Sequence, residues 1–337
     1  MISSGEQSDS IRMSVGAILP AYNEGPHIGD VIRSVPSFVD RIFVVDDCST
    51  DNTAEVVRAI PDERLTLIQR EKNGGVGAAM ATGYQAVLDA EVDIAVKIDA
   101  DGQMEMTELQ RLVMPIVRGL ADYSKGNRFY LERGTRGMPG HRMFGSVVLS
   151  FMTKIASGYW HVYDSQCGFT AIRTVFLRMV DIDRLAGDYF FENDMLIRLY
   201  AFNARVVDVP TTTLYGSETS HVSVSRVLFT FPPRLLGGGI KRAIRKYLVT
   251  DFGAVGSFGL AGLVLAFFGA AFGAYHWWLS IATQRSATTG TVMIAVLPLI
   301  VGIQLLVQSV AMEVSSSPGA AETVEYVHQL IQERGLR

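Results

Sequence analysis

The chain has 337 residues, more than one ordinary domain requires, and 48% of them are hydrophobic against 19% charged. Those shares exclude a disordered chain, and thirty Lys and Arg against 34 Asp and Glu, a formal net charge of −4, exclude a broad basic surface for nucleic acid. Its two cysteines, Cys48 and Cys167, form no C-x-x-C pair, zinc-ligand set or disulfide framework, which fits a reducing compartment.

Residues 1–12 are polar, lack an apolar run of signal-peptide length and are expected to be disordered and cytosolic. Beyond them, apolar runs of strand length recur as SVGAILP, RIFVVD, LTLIQR, DIAVKID and, later, ARVVDVP. Helical patterns fill the gaps: STDNTAEVVRAI with Ser49 or Thr50 as a cap, GVGAAMATGYQAVLDA, and MTELQRLVMPIVRG, which Gly119 ends. Such alternation predicts an α/β layer with a mostly parallel sheet, where ligands gather at the carboxyl ends of the strands.

Those strand ends carry three acidic or amide-rich clusters. They are LPAYNEG with Pro20, Tyr22, Asn23 and Glu24; VVDDCSTD with Asp46, Asp47, Ser49 and Asp51; and KIDADGQ with Asp99, Asp101 and Gln103. None supplies a cation for a phosphate. An acidic rim that holds a phosphorylated ligand needs a divalent ion between them, and oxygen ligands suit Mg2+ or Mn2+. A lone D-x-D is a weak signal, whereas three such clusters at successive strand ends are specific. The glycine run NGGVGAAMATG has Met80 where a dinucleotide loop places its third glycine, and no Gly-Lys-Ser/Thr follows. Its glycines are expected to let the helix pack closely on the sheet or approach the ligand.

From residue 219 the character changes. Residues 219–250 mix apolar and basic side chains and predict amphipathic helices in the lipid headgroup layer or packed on the soluble domain, broken in two at Gly237, Gly238 and Gly239. Residues 252–284 and 286–312 hold no charged side chain, and spans at 251–281 and 289–312 are long enough to cross a bilayer as a hairpin. Pro298 inside the second span is tolerable in lipid. Lys241, Arg242, Arg245 and Lys246 precede the first span and mark the cytoplasmic side. Tyr275, Trp277 and Trp278 fall where that span meets the opposite interface. A soluble domain at 13–218 and a tail at 313–337 therefore face the cytosol in a multi-pass membrane protein, the tail as an amphipathic helix on the membrane face or on a neighbouring subunit.

The segments LPAYNE, VVDDCSTDNT, NGGVGAAMATGY, DADGQ and DSQCGFTAI, in this order, resemble the family 2 glycosyltransferases. The chain is most similar to the membrane-bound polyprenol-phosphate type, over residues 15–312. The resemblance implies a GT-A fold, a nucleotide-diphosphate sugar donor, undecaprenyl or dolichyl phosphate as acceptor, Mg2+ or Mn2+, inversion at the anomeric carbon, and a homo-oligomer such as a tetramer. It places Pro20, Tyr22 and Glu24 along the nucleoside pocket, and Val45 and Asp47 at the base, with Asp47 accepting from its N–H groups. Asp99, Ala100 and Asp101 match the D-x-D, whose first carboxylate approaches ribose or metal. Asp101 and Gln103 match the metal ligands proper, so the candidate metal set is Asp99, Asp101 and Gln103. Arg128 in KGNRF matches a basic residue beside the donor, and Arg142 in GHRMFGS one beside the acceptor phosphate. Asp164 in YDSQCGF matches a base or charge-orienting carboxylate, and its neighbour Gln166 a sugar contact. Glu192 and Asp194 either cap a helix or bind sugar hydroxyls, and in related enzymes with hydroxyl acceptors this region supplies the base.

The chain departs from the mannose synthase pattern in LYGSETSHVS, where Glu218 stands in place of a cation and leaves His221 or Arg226 to close over the donor. Three other readings compete. The first is a transferase with a hydroxyl acceptor on a glycolipid or polysaccharide, of which a processive polysaccharide synthase would carry a Q-x-x-R-W run and more spans; the second, a nucleotidyltransferase, would carry a basic glycine loop near the first strand; neither feature is present. The third is a noncatalytic membrane scaffold, against which the intact carboxylates at all three strand ends speak.

Overall fold

The structure is a computed structural model. It describes residues 13–130, 140–212 and 224–334, without the side chains of 141–142, 224–228 and 331–334. Seven strands form one sheet: β1 (Val15–Ala21), β2 (Arg41–Asp46), β3 (Leu65–Gln69), β4 (Ile94–Lys97), β5 (Tyr123–Asn127), β6 (Thr170–Arg173) and β7 (Val206–Pro210), in the order β3-β2-β1-β4-β6-β5-β7. Strands β3, β2, β1 and β4 run parallel, β6 is antiparallel to both its neighbours, and β5 pairs parallel with β7. This is the mixed, mostly parallel GT-A arrangement implied by the motifs.

Side chains of a strand alternate between faces, so each strand feeds two cores. Ile42 and Val44 of β2 belong to the core that also holds α1 (Gly25–Ser34) and α4 (Leu109–Val117), while Phe43 and Val45 belong to the core that holds α3 (Val76–Asp89) and α7 (Phe191–Tyr200). The five strands legible in the sequence are β1 to β4 and β7. Strand β5 escaped because YSKGN carries Ser124, Lys125 and Asn127, all buried, where a strand pattern expects apolar residues.

Several local expectations are corrected. Helix α2 (Thr53–Arg58) is not capped by Ser49 or Thr50: Asn52 holds the cap position without a side-chain bond, and Asp51 accepts from the Thr53 N–H at 3.0 Å. Ser49 and Thr50 are occupied with Asn23, whose N–H donates to Ser49 Oγ and whose Oδ1 accepts the Thr50 N–H. Gly119 does end α4, with φ +73°.

The glycine triplet at 237–239 does not break the juxtamembrane helix. Helix α8 (Val224–Ala243) runs through it and continues as π-helical turns at Ile244–Thr250. The glycines serve close approach: a Cβ on Gly239 would lie 3.0 Å from Ala156 Cα of α5 (Gly140–Ser157), and one on Gly238 2.9 Å from Ile197 of α7. Phe231 and Leu235 of α8 join a small core with Leu149, Ala156, Phe190 and Ile197. The outer faces of the same two helices expose Phe144, Phe151 and Ile155 on α5 and Phe229, Leu236 and Ile240 on α8.

Two apolar helices follow, α9 (Ala254–Thr283) and α10 (Thr289–Ser315). Each has the length and hydropathy to cross a membrane, and only 17% and 6% of their most apolar stretches are buried, unlike core helices. They pack as a hairpin through Gly262 and Gly302, whose added Cβ atoms would meet the opposite backbone. Finally, α11 (Ala320–Arg334) returns to its own chain. It docks on the sheet domain, with Tyr326 buried and donating to Arg111 O at 2.7 Å, and Thr323 accepting from the Asp208 N–H of β7.

Candidate functional site

Because β1 lies between β2 and β4, in register Ala21↔Asp46 and Ile18↔Lys97, the three polar clusters leave the sheet side by side. Asn23 takes φ +58°, a left-handed turn that asparagine tolerates, and is tied to Ser49 and Thr50 as described. The Glu24 N–H donates to Thr53 Oγ1 at 2.9 Å and the Gly25 N–H to Asp51 at 3.1 Å. Burial alone would raise the Asp51 carboxyl, but the hydrogen bonds from Thr53 and Gly25 hold it below the usual carboxylate range. Tyr22 and Glu24 line the open side of this turn, with Tyr22 about half exposed. Pro20 is partly exposed at the end of β1.

Asp47 is buried and already has partners: Arg70 as an ion pair, the Gly74 N–H, and the Gly75 N–H at 2.7 Å. Val45 is not in the cleft; it is fully buried and turns its side chain into the core beneath α3. Ala100 packs into the opposite core, while the flanking Asp99 and Asp101 are partly exposed.

Asp99 is engaged by Lys97, Nζ to Oδ1 at 2.5 Å, and Lys97 also reaches Glu192 Oε1 at 3.3 Å. A second buried lysine, Lys125, stands 3.8 Å from the other Glu192 oxygen and donates to Cys167 O. Glu192 at the start of α7 thus sits between two ammonium groups. Burial would lower Lys97, but Asp99 and Glu192 together reverse this and keep it firmly protonated. Neither lysine was singled out in the sequence. Lys97 left one signal, a charged residue inside an otherwise apolar strand pattern, and Lys125 left none, since YSKGN has no such pattern. Tyr189, half exposed ahead of α7, was also missed; burial and then the charges of Asp99, Glu24 and Asp101 push its phenol up against the opposing Lys97.

Deeper in, Arg128 and Asp164 form a two-pronged ion pair, Nε to Oδ2 at 2.6 Å and Nη2 to Oδ1 at 2.9 Å, joined by the Arg128 N–H at 3.2 Å. Burial alone would raise Asp164, yet Arg128 and then Lys125 hold it below the usual carboxylate range. Gln166 donates to Asn193 Oδ1 at 3.1 Å, which ties this loop to α7. Asp194 accepts the Ala186 N–H and pairs with Arg198 along α7. Asp208 of β7 accepts from the Tyr163 N–H at 2.8 Å and Asn127 Nδ2 at 2.7 Å, the residues just before Asp164 and Arg128. Burial pushes Asp208 up to about 7, against the opposing hydrogen bonds.

Arg142 lies in the first turn of α5, with its side chain outside the described residues, as is that of Arg226; Glu218 and His221 also lie outside them. The glycine run packs as expected: Gly75 (φ +88°) and Gly77 abut the loop before α7, where a Cβ on Gly77 would lie 2.0 Å from Ala186 O.

Among the described residues no three His, Cys, Asp or Glu side chains form a ready-made metal cage. Asp101 and Gln103 lie partly exposed in one turn, held by the Gln103 N–H to Asp101 Oδ1 at 3.0 Å. A carboxylate with an amide oxygen beside open space fits a hard divalent cation that completes its shell with phosphate and water.

The profile of Glycosyl transferase family 2 matches residues 17–179. A UDP-N-acetylglucosamine–dolichyl-phosphate N-acetylglucosaminyltransferase of Methanococcus voltae is 30% identical over 229 residues, covering 64% of this chain and 90% of the relative. A polyprenol monophosphomannose synthase of Mycolicibacterium smegmatis is 30% identical over 239 residues, 67% of this chain and 88% of the relative. Among solved structures, glucosyl-3-phosphoglycerate synthase from Mycobacterium tuberculosis, in complex with Mn2+, UDP and glucosyl-3-phosphoglycerate, shares the fold with a TM-score of 0.51 at 20% identity, over 68% of this chain and 80% of that one.

Proposed function

The chain belongs to glycosyl transferase family 2, and on that premise we propose that it moves a sugar from a nucleotide diphosphate to a polyprenyl phosphate at the cytosolic face of a membrane, releasing a polyprenyl-phosphate monosaccharide with inversion. One juxtaposition carries this function: the helices beside the acidic cleft, α5 and α8, expose apolar faces and α8 leads directly into the two spans. A polyprenyl chain leaves lipid only at about 0.8 kcal/mol per CH2, so the cleft has to come to the membrane. The two relatives differ in sugar and agree in a polyprenol-type acceptor, which supports the acceptor class and leaves the sugar open.

In this scheme Pro20, Tyr22, Glu24 and Asp47 border the nucleoside. Asp101 and Gln103 hold Mg2+ or Mn2+, which when bound neutralises the departing diphosphate. Asp99, its charge answered by Lys97, faces the ribose. Arg128 stands beside the donor phosphates and Arg142 at the acceptor phosphate, where a guanidinium fork suits the oxygens. Asp164 serves as the charge that aims Arg128; with both oxygens gripped and its carboxyl held below the usual range, it is a poor base. An ionised lipid phosphate needs none. A hydroxyl acceptor would, and the acidic pair at α7 is ill placed for it: Glu192 lies between two lysines and Asp194 is tied to Ala186 and Arg198.

The test is a panel of labelled nucleotide sugars offered with undecaprenyl or dolichyl phosphate to membranes carrying the protein. A lipid-linked monosaccharide is the expected product. Label transferred only to a glycolipid hydroxyl or a polymer would overturn the acceptor.

A further inference from the structure

Where the chain enters and leaves the hairpin, one buried ion pair joins both ends to the catalytic domain. Glu313, near the end of α10, meets Arg242, near the end of α8, at 2.6 Å, with side chains 10% and 4% exposed. The rest of the guanidinium donates to the last turn of α5, Nε to Ala156 O at 2.8 Å and Nη2 to Ile155 O at 3.4 Å. There a cation also meets the negative end of the helix dipole. Tyr247 donates to the same Glu313 oxygen at 2.7 Å and shares a hydrogen bond with Tyr200, at the end of α7, at 3.0 Å. Arg242 lies over the Tyr200 ring, 4.6 Å from its centroid.

Helix α7 starts at the cleft with Glu192, α5 is tied to it by Thr153 donating to Asn193 Oδ1 at 2.8 Å, and both helices finish at this cluster. They are stiff rods, so whatever fixes their far ends fixes the height and tilt of the cleft above the hairpin. A buried ion pair adds little net stability over an apolar contact of the same volume. What the guanidinium fork adds is direction, because several of its N–H groups are committed to fixed acceptors on two elements.

We propose that Arg242 and Glu313 are positioning residues that clamp the catalytic domain to the hairpin at one angle, so that the cleft meets a phosphate presented at the membrane surface, an inference resting on the lipid acceptor proposed above. The full-length protein in phosphatidylglycerol nanodiscs, spin-labelled at the exposed native Cys48 and at Ala287→Cys in the hairpin loop, reads that angle without any donor. The expected result is one narrow distance distribution, broadened by Glu313→Gln and by Arg242→Lys, which keeps the charge and loses the fork. Tyr247→Phe, which leaves the ion pair whole and guards against a variant that fails to fold, broadens it less.

In turnover with the nucleotide sugar that the wild type uses, Glu313→Gln loses about tenfold or more on undecaprenyl phosphate in vesicles, as a displaced cleft would. On water-soluble citronellyl phosphate its kcat stays at the wild-type value. Unchanged distance distributions in all three variants, or equal losses on both acceptors, overturn the clamp. A wild type that makes no lipid product defeats the acceptor assignment instead, and the distance measurement still judges the clamp.

Discussion

Three carboxylates around the cleft are answered by a cation that the chain itself supplies: Arg70 at Asp47, Lys97 at Asp99, Arg128 at Asp164. Asp101 belongs to the open turn instead, and Asp101→Ala is expected to cut transfer by about a hundredfold to a thousandfold, the scale of losing one group that stabilises developing charge, with membrane insertion intact. Labelled lipid product measured on washed membranes checks it. Asp164→Ala strands the Arg128 guanidinium away from water and is expected to lower stability by about 3–5 kcal/mol, with an Arg128→Leu/Asp164→Leu double variant losing less. Unfolding of the detergent-solubilised protein decides this. Asp208 carries a sign of its own. Its folded value, about 7, is raised above the ordinary 3.8, so its stabilisation is fully present below pH 3.8 and is lost as pH rises through about 7. Asp208→Asn cannot ionise, and its melting temperature relative to wild type is expected to climb between those limits; a difference independent of pH would contradict the assignment. Asp47, Asp99 and Asp101 were legible because acidic tripeptides follow strand patterns, Asp164 only through the family resemblance, and Asp208 not at all. The pairings were not legible: Lys97 and Glu192 are 95 positions apart, and no local rule couples them.

Glycines decide how closely the elements approach. On Gly77 a Cβ would lie 2.0 Å from the Ala186 carbonyl and 2.8 Å from Phe191 Cβ, so the loop carrying Tyr189 and Glu192 has to move. Gly77→Ala is expected to cost about 1–3 kcal/mol by overpacking and to lower turnover as well. Gly119→Ala meets nothing within 4 Å and strains only a φ of +73°, so it should cost about 1–2 kcal/mol and leave turnover unchanged. Thermal melts alongside transfer assays separate the two. The expected packing role of the glycine run emerged from its failure to match a phosphate loop. At 237–239 the same residue type misled, since glycine lowers helix propensity but lets two helix backbones meet, and the packing of α8 on α5 and α7 outweighs the propensity. Strand β6, four residues long, lacked enough positions to show any period.

At the scale of the whole molecule, α5 and α8 expose apolar faces, and α8 precedes the two long apolar helices in the chain. Leu236 and Ile240 are 66% and 52% exposed, so a Leu236→Glu/Ile240→Glu variant is expected to keep its melting temperature in detergent. Its transfer to a long-chain acceptor in vesicles should fall about tenfold, because two charges then oppose entry into the headgroup layer. Full activity in vesicles would place those helices away from the membrane. The amino-acid order alone determined the alternating layer, the three acidic strand ends and the paired spans, since strand period, turn chemistry and uncharged length are all properties of neighbouring residues. Only tertiary structure decided that α11 closes the catalytic domain, that Val45 faces the core rather than the cleft, and that lysines, arginines and carboxylates distant in sequence neutralise one another. Those outcomes depend on which surfaces and charges are left without partners once the sheet is built, and burial forces distant groups to supply them.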